Sequence, residues 1–309
     1  MKQVCFGVDI GGTTVKLGLV SREGELLDKR EFPTFRDLGA TFDDIAAHMR
    51  QVMEDFQSMD SVADEYQCVG AGVGVPGPVV GQSRVVHCAN LGWRNVDIAQ
   101  ELSSRAGVPV RVANDANLAA LGEAWQGGGK GCRNLVMFTV GTGVGGGIIC
   151  DGRIVAGATG GGGEVGHMTV PFHPDWQCGC GRKGCLEVTA SASGIIRAAR
   201  QFSPFKEMEK VTAKDVYDAA AAGDKNAQAV VAEAAAALGM AAVTVSCIVN
   251  PEVILLGGGV SAAGSALLDP VEAAFKTCSF APCADVRFAL AQLGNNAGIY
   301  GGAALFFTE

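Results

Sequence analysis

The sequence predicts an α/β fold, on three observations. Short β-branched apolar runs alternate with stretches of helical spacing along the 309 residues. Glycine is gathered directly after several of those runs, at 11–12, 141–147, 160–163 and 257–259. An apolar fraction of 48% against 18% charged residues supplies a core of globular size, enough for one large or two ordinary domains.

Each element follows from its residues. Residues 4–10 read as a strand, then Gly11-Gly12-Thr13-Thr14, then a second run at 15–20, which together predict a hairpin. Phe42, Ile45, Ala46, Met49, Val52, Met53 and Phe56 keep helical spacing. Residues 69–75 predict a buried strand that stops at Pro76-Gly77-Pro78. A helix at 98–106, a strand at 108–112 and a helix at 116–125 follow. The runs at 135–140 and 147–150 repeat the opening logic of strand, glycine–threonine turn and strand, which points to an internal duplication. Thr212, with Asp215 three residues on, marks a helix start. An alanine-rich helix at 224–249, a strand at 253–256 and an apolar helix at 296–307 complete the set. The expected division is a smaller α/β domain at 1–113 and a larger one at 114–295, with the terminal helix, 296–309, packing back on the first.

A formal net charge of −8 and the lack of any Lys/Arg run argue against a dedicated nucleic-acid binder. The start carries no signal-peptide pattern, and no uninterrupted apolar run approaches the roughly 18 residues of a membrane span. The expectation is a cytoplasmic protein with no membrane partner. Eight of the eleven cysteines are scattered, several inside apolar runs, as small hydrophobes would be. Disulfides are not expected in a reducing compartment.

Two glycine–threonine turns carry candidate phosphate chemistry. In the first, Gly11 and Gly12 allow close approach to a phosphate, Thr13 and Thr14 offer hydroxyl donors, and Lys16 adds a charge. Asp9, at the strand end, suits Mg²⁺ held through water. The second is Gly141-Thr142-Gly143, within a run that matches neither the Walker loop nor a dinucleotide fingerprint. Either turn, alone, also reads as an ordinary hairpin turn. Gly257, Gly258 and Gly259 follow a buried strand and suit close approach to adenosine. Asp115 falls where a strand gives way to a helix. Beside phosphate turns it is a candidate base for a substrate hydroxyl. The plainer reading is that Asp115 or Asn114 caps the helix.

His167, Cys178, Cys180 and Cys185 form a His-x10-Cys-x-Cys-x4-Cys pattern, with Gly179, Gly181 and Gly184 allowing tight turns. Three thiolates and an imidazole suit a closed tetrahedral Zn²⁺ site, structural because no position is left open. His173 is a rival fourth ligand. Free thiols, or a disulfide with a spare, are the alternatives. Glu164 and Glu187 flank the cluster and could accept from sugar hydroxyls.

At these residues the sequence resembles the ROK family of bacterial sugar kinases and repressors. The matching pieces span the chain: DIGGTTVK (9–16), GVPGPV (74–79), ANLGW (89–93), ANDAN (113–117), GTGVGGG (141–147), GEVGH (163–167), CGCGRKGCLE (178–187) and NPEVILLGGG (250–259). The resemblance implies a two-domain actin-like (ribonuclease H-like) ATPase fold with a central cleft, and a homodimer. It implies Asp115 as catalytic base. It implies Asn90, Asn114, Glu164, His167 and Glu187 as sugar residues, with His167 serving zinc and sugar through one ring nitrogen each. Asp9, Gly11, Gly12, Thr13 and Thr142 match the positions for phosphate and Mg²⁺. The cysteine loop is most like the glucokinase branch, so ATP and the 6-hydroxyl of glucose are the expected substrates. Kinases for fructose, N-acetylmannosamine, N-acetylglucosamine or allose are the near rivals. A sugar-responsive repressor would carry a helix-turn-helix segment ahead of the first strand, and that strand already begins at Val4.

Overall fold

The computed structural model describes residues 1–59 and 66–308. The chain opens with β1 (Lys2–Ile10), β2 (Thr14–Ser21), β3 (Leu26–Pro33), α1 (Leu38–Met59) and β4 (Tyr66–Val75). Three short strands follow, β5 (Val79–Val80), β6 (Arg84–Cys88) and β7 (Trp93–Asp97), then α2 (Ile98–Ala106), β8 (Val110–Asn114) and α3 (Asp115–Gln126). Next come β9 (Leu135–Val140), β10 (Val144–Cys150), β11 (Arg153–Ile154), a 3-10 turn over Val165–His167, and the helices α4 (Leu186–Ala190), α5 (Ala192–Ala199), α6 (Ala213–Ala221) and α7 (Lys225–Val249). The chain ends with β12 (Val253–Gly257), α8 (Ser265–Cys278), β13 (Arg287–Leu290) and α9 (Ala297–Phe307).

The duplication read from two turns extends to whole sheets. One sheet has the order β3-β2-β1-β4-β8 and another the order β11-β10-β9-β12-β13. In the first, β1 pairs antiparallel with β2 and parallel with β4, and β4 runs parallel with β8. In the second, β9 pairs antiparallel with β10 and parallel with β12, and β12 runs parallel with β13. This repeated mixed sheet is the actin-like, ribonuclease H-like arrangement. A small antiparallel sheet, β5-β6-β7, is an addition to the first half.

The chain divides into two compact units. One comprises Met1–Gly131, Asp151–Gly162 and Asn295–Glu309, the other Cys132–Cys150 and Gly163–Gly294. This differs from a boundary at 113/114, and the packing of α3 explains why. Asn114 is still paired with Val75 of β4, and α3 lies against α9, so closely that a Cβ on Gly301 would overlap the Leu118 carbonyl. α9 also rests on β1 and β4, where Gly7 and Gly72 have no side chain to hold the helix off: a Cβ on either would overlap the backbone of Ile299 or Gly302. On α1, the predicted apolar stripe is the buried one, with Phe42, Ile45, Ala46, Met49 and Val52 in the core of the first unit. Full burial of such a side chain contributes about 1.5–3 kcal/mol.

In the second unit, α7 packs against α4, α6 and α8. It is long and apolar enough to cross a membrane by length and composition, with mean hydropathy 1.8 over an 18-residue window, half of which is buried. A search for uninterrupted apolar runs passes over it because Gln228, Glu233, Thr244 and Ser246 break the run. Its N-cap is Asp224, whose side chain accepts from the Ala227 amide, and α6 carries the Thr212–Asp215 capping box that the sequence announced.

Candidate functional site

The strand ends of the first unit collect charge. Asp9 stands one residue from the end of β1, opposite Lys16 on β2 and Gly74 on β4. Burial raises its carboxyl pKa, and the Lys16 ammonium pulls it back. The β1–β2 turn is closed by the Gly11 amide donating to the Thr14 carbonyl at 3.0 Å. Thr34 holds it from outside, its hydroxyl donating to the Gly11 carbonyl at 2.8 Å and its amide to the Thr13 carbonyl at 3.0 Å. Gly12 and Thr13 are exposed. Asn90 is also exposed, its Cβ 3.8 Å from where a Cβ on Gly12 would stand.

The geometry at α3 identifies its cap. Asn114 is the cap: its side-chain oxygen accepts from the amides of Ala116 at 3.0 Å and Asn117 at 3.1 Å, and its NH₂ donates to the Gly77 carbonyl at 3.3 Å. Asp115 opens the helix, with Oδ1 2.8 Å from the Ala116 amide. Gly74 lies between the two carboxylate residues, since a Cβ there would be 3.6 Å from both Asp115 Cα and Asp9 Oδ1. Both therefore sit at the carboxyl ends of β1 and β8, the strands on either side of β4, where α/β folds bind ligands. Cys88, fully buried, lies near enough for the Asp115 charge to reinforce the upward shift that burial gives its thiol. Nothing in the residue pattern singled Cys88 out, because its proximity arises from the β5-β6-β7 sheet.

In the second unit the turn at 141–143 is bound to Glu187. The Val144 amide donates to Glu187 Oε2 at 3.1 Å, and a Cβ on Gly143 would overlap that same oxygen. The Gly141 carbonyl accepts from the Ala192 amide at 2.8 Å. Gly141, Thr142 and Gly259 line a cavity of about 450 Å³, together with Lys214, Tyr217 and Asp218 of α6. The sequence did not reveal these three, because α6 is distant in sequence and carries no glycine signal. Gly257 and Gly258 have another reason to be glycine. A Cβ on Gly257 would stand 2.7 Å from Met137 Cε, and one on Gly258 2.5 Å from the Val140 carbonyl oxygen.

His167, Cys178, Cys180 and Cys185 come together, each offering a ligand atom within 4.8 Å of the others. Cys180 Sγ lies 3.7 Å from Cys185 Sγ, and Cys178 Sγ 3.7 Å from His167 Nδ1. Tetrahedral Zn²⁺ with bonds of about 2.3 Å to sulfur and 2.0 Å to nitrogen has edges of roughly 3.5–3.8 Å. The donor set fits the ion. Burial pushes the Cys178 thiol up to about 12, and a bound cation is what would ionise it. His173 is elsewhere: its ring stacks on Trp176 with centroids 3.6 Å apart, and Nε2 is 2.5 Å from Glu233 Oε1. His167 turns its other nitrogen, Nε2, towards Glu164 Oε2 at 3.9 Å. Glu187 also lies against the cluster, its Oε1 3.5 Å from Cys178 Sγ.

The ROK family model matches residues 5–309. The chain belongs to the ROK family. Among relatives of this ROK protein, a glucokinase of Halalkalibacterium halodurans is 40% identical over 97% of this chain and 93% of its own length. The crystal structure of a ROK hexokinase from Thermus thermophilus superposes with a TM-score of 0.81 at 30% identity, covering 98% of this chain and 97% of that one. A ROK glucokinase from Streptomyces griseus, crystallised with glucose and AMPPNP, gives a TM-score of 0.73 at 30% identity over 98% of both chains. The family model covers residues of both units.

Proposed function

We propose that this ROK protein is an ATP-dependent hexose kinase whose substrate is glucose, phosphorylated at the 6-hydroxyl. The observation that carries the reading is the pair of carboxylates flanking Gly74, with Asn114 rather than Asp115 acting as the helix cap. Asp115 accepts the proton of the 6-hydroxyl as that oxygen bonds to the γ-phosphorus and the bond from phosphorus to the bridging oxygen of ADP breaks. Asn90, Asn114, Glu164, His167 and Glu187 hold the remaining hydroxyls. Gly11, Gly12, Thr13, Thr14 and Lys16, with Gly141, Thr142 and Gly143, receive the phosphates, and Asp9 orients the waters of a Mg²⁺ ion. That ion, when bound, neutralises charge on the phosphates. The cavity lined by Gly259 takes the adenosine, with Gly257 and Gly258 leading the chain into it from β12. His167, Cys178, Cys180 and Cys185 would hold a structural zinc, which fixes Glu187 two residues after Cys185. A cytoplasmic homodimer belongs to the same reading and is checked by light scattering.

The test is a coupled ADP-release assay over glucose, fructose, allose, N-acetylglucosamine and N-acetylmannosamine, with the product's phosphate located by ³¹P NMR. The expected result is the highest kcat/KM for glucose and a 6-phosphate. A higher value for an N-acetyl sugar would move the assignment to another hexose. No turnover of any sugar would overturn the kinase reading.

A further inference from the structure

Glycine is a poor helix former, yet α9 carries it at 298, 301 and 302. Gly301 and Gly302 are explained by backbone. A Cβ on Gly301 would overlap the Leu118 carbonyl, and one on Gly302 would stand 2.4 Å from the Gly72 carbonyl oxygen. Gly298 is different. A Cβ there would lie 3.1 Å from Asp9 Cβ, 3.1 Å from Asp9 Cγ and 3.3 Å from Asp9 Oδ2, so its three nearest atoms belong to one side chain. Gly298 and Asp9 are in the same compact unit, where α9 lies against β1.

Gly74 of β4 stands beside the other oxygen, since a Cβ on it would be 3.6 Å from Asp9 Oδ1. Each oxygen of Asp9 thus has a glycine next to it. No hydrogen bond from the described residues occupies either oxygen, and Lys16 acts on them through its charge alone. A half-buried carboxylate without a donor is costly unless a ligand or water takes its lone pairs. Such a group fits Mg²⁺, which keeps several waters and binds through one or two carboxylates. An alanine methyl at 298 would force the Asp9 side chain to give by a few tenths of an ångström. The Asp9 backbone cannot follow, because it is paired with Lys16 on one side and Gly74 on the other. α9 backs away only by opening its close contacts at Gly301 and Gly302. The methyl would also take space beside Oδ2 that a metal-bound water needs.

We propose that Gly298 is a positioning residue for metal use: by carrying no side chain, it leaves the Asp9 carboxylate its place and its access to water. This rests on the reading of Asp9 as the residue that orients the waters of Mg²⁺. The last helix of the chain is thereby tied to the chemistry at the end of its first strand.

The test sets Gly298→Ala beside Asp9→Asn and the double variant, in the full-length protein. In Gly298→Ala the Mg²⁺ concentration for half-maximal rate should rise about 3- to 10-fold, less than the roughly 100-fold of a 1 Å displacement, while the KM for glucose stays within about twofold. The rise in melting midpoint given by ADP with Mg²⁺, over that given by ADP alone, should shrink, and the rise caused by glucose should not. That shift reads the metal without turnover. In the Asp9→Asn background the same alanine should add less than about twofold, since residues that act through one another are not additive. A wild-type Mg²⁺ requirement in Gly298→Ala overturns the inference. So does an equal rise in the KM for glucose, a full effect of the alanine in the Asp9→Asn background, or failure of Gly298→Ala to fold, each of which would make Gly298 a packing residue only. An unchanged Mg²⁺ requirement in Asp9→Asn would instead remove the reading of Asp9, and this inference with it.

Discussion

The two five-stranded sheets repeat a backbone but not a chemistry. At the end of the first hairpin, Asp9 faces Lys16 across the strands, and at the same register in the second, Thr139 faces Gly145. The last paired residues are Ile10 and Val15 in the first hairpin and Val140 and Val144 in the second, so the second closes over one residue fewer. The first turn is exposed at Gly12 and Thr13, and the second is fastened to Glu187 and to the start of α5. A duplicated fold supplies two glycine–threonine turns at strand ends. What separates them is where ionisable groups were put. The first unit carries Asp9 and Asp115, proposed for metal and proton, and the second carries Glu164 and Glu187, proposed for sugar, beside the cluster of His167, Cys178, Cys180 and Cys185.

That division is open to test, and the largest effect belongs to the first unit. Asp115→Asn removes the base and keeps the shape. Its kcat should fall about 10²–10⁴-fold with glucose binding by calorimetry nearly unchanged. Retention of a tenth of the wild-type kcat would return Asp115 to being a helix residue and break the comparison.

Cys180→Ser tests the second unit. Metal analysis should drop from about one zinc per chain to none, the melting midpoint should fall, and the KM for glucose should rise roughly 10- to 100-fold, as for loss of support around a metal site. A zinc-free variant with wild-type glucose affinity would show that Glu187 is placed without the ion.

Asp9→Asn should act on nucleotide use alone, weakening Mg²⁺ dependence by roughly 10- to 100-fold. It should also stabilise the protein. Because burial raises the Asp9 pKa, the folded state holds that proton more tightly than the unfolded chain does. Stability then falls as pH rises from the ordinary carboxylate range through the raised folded value, and stays lower above it. An asparagine lacks that cost, so the variant should melt above the wild type at pH 7 and lose the advantage at pH 3. A lower midpoint at pH 7 would mean that Lys16 more than offsets the burial.

Much of this site is legible in the amino-acid sequence, for identifiable physical reasons. The cysteine cluster, Glu164, Glu187 and Asp115 lie in short local motifs, and local motifs survive folding intact. The choice between Asn114 and Asp115 as cap is not legible there, because it depends on which side chain reaches the Ala116 and Asn117 amides. Nor are Lys214, Tyr217 and Asp218, which reach the Gly141 cavity only through the packing of α6. β3 escapes notice because LLDKREFP is an edge strand with a polar face, and α8 because Pro270 interrupts its pattern. The boundary at 113/114 misses the partition because the packing of α3 on α9 is a contact with the far end of the chain.

The smallest expected effect is also the sharpest test of what the two turns are for. Gly12→Ala places a methyl group at ordinary contact distance from Asn90 Cβ, 3.8 Å, with nothing to displace in the protein. Its melting midpoint and glucose KM should stay close to wild type, and any change should fall on the KM for ATP. Gly143→Ala puts the same methyl onto Glu187 Oε2, which must move and break its bond from the Val144 amide. That should raise the KM for glucose about tenfold, at least as much as the KM for ATP, since a carboxylate shifted by about 1 Å loses its aim at a hydroxyl. Equal ATP-only effects from both substitutions would show that Glu187 gives way at no cost to the sugar. The two turns would then be alike in function as well as in topology.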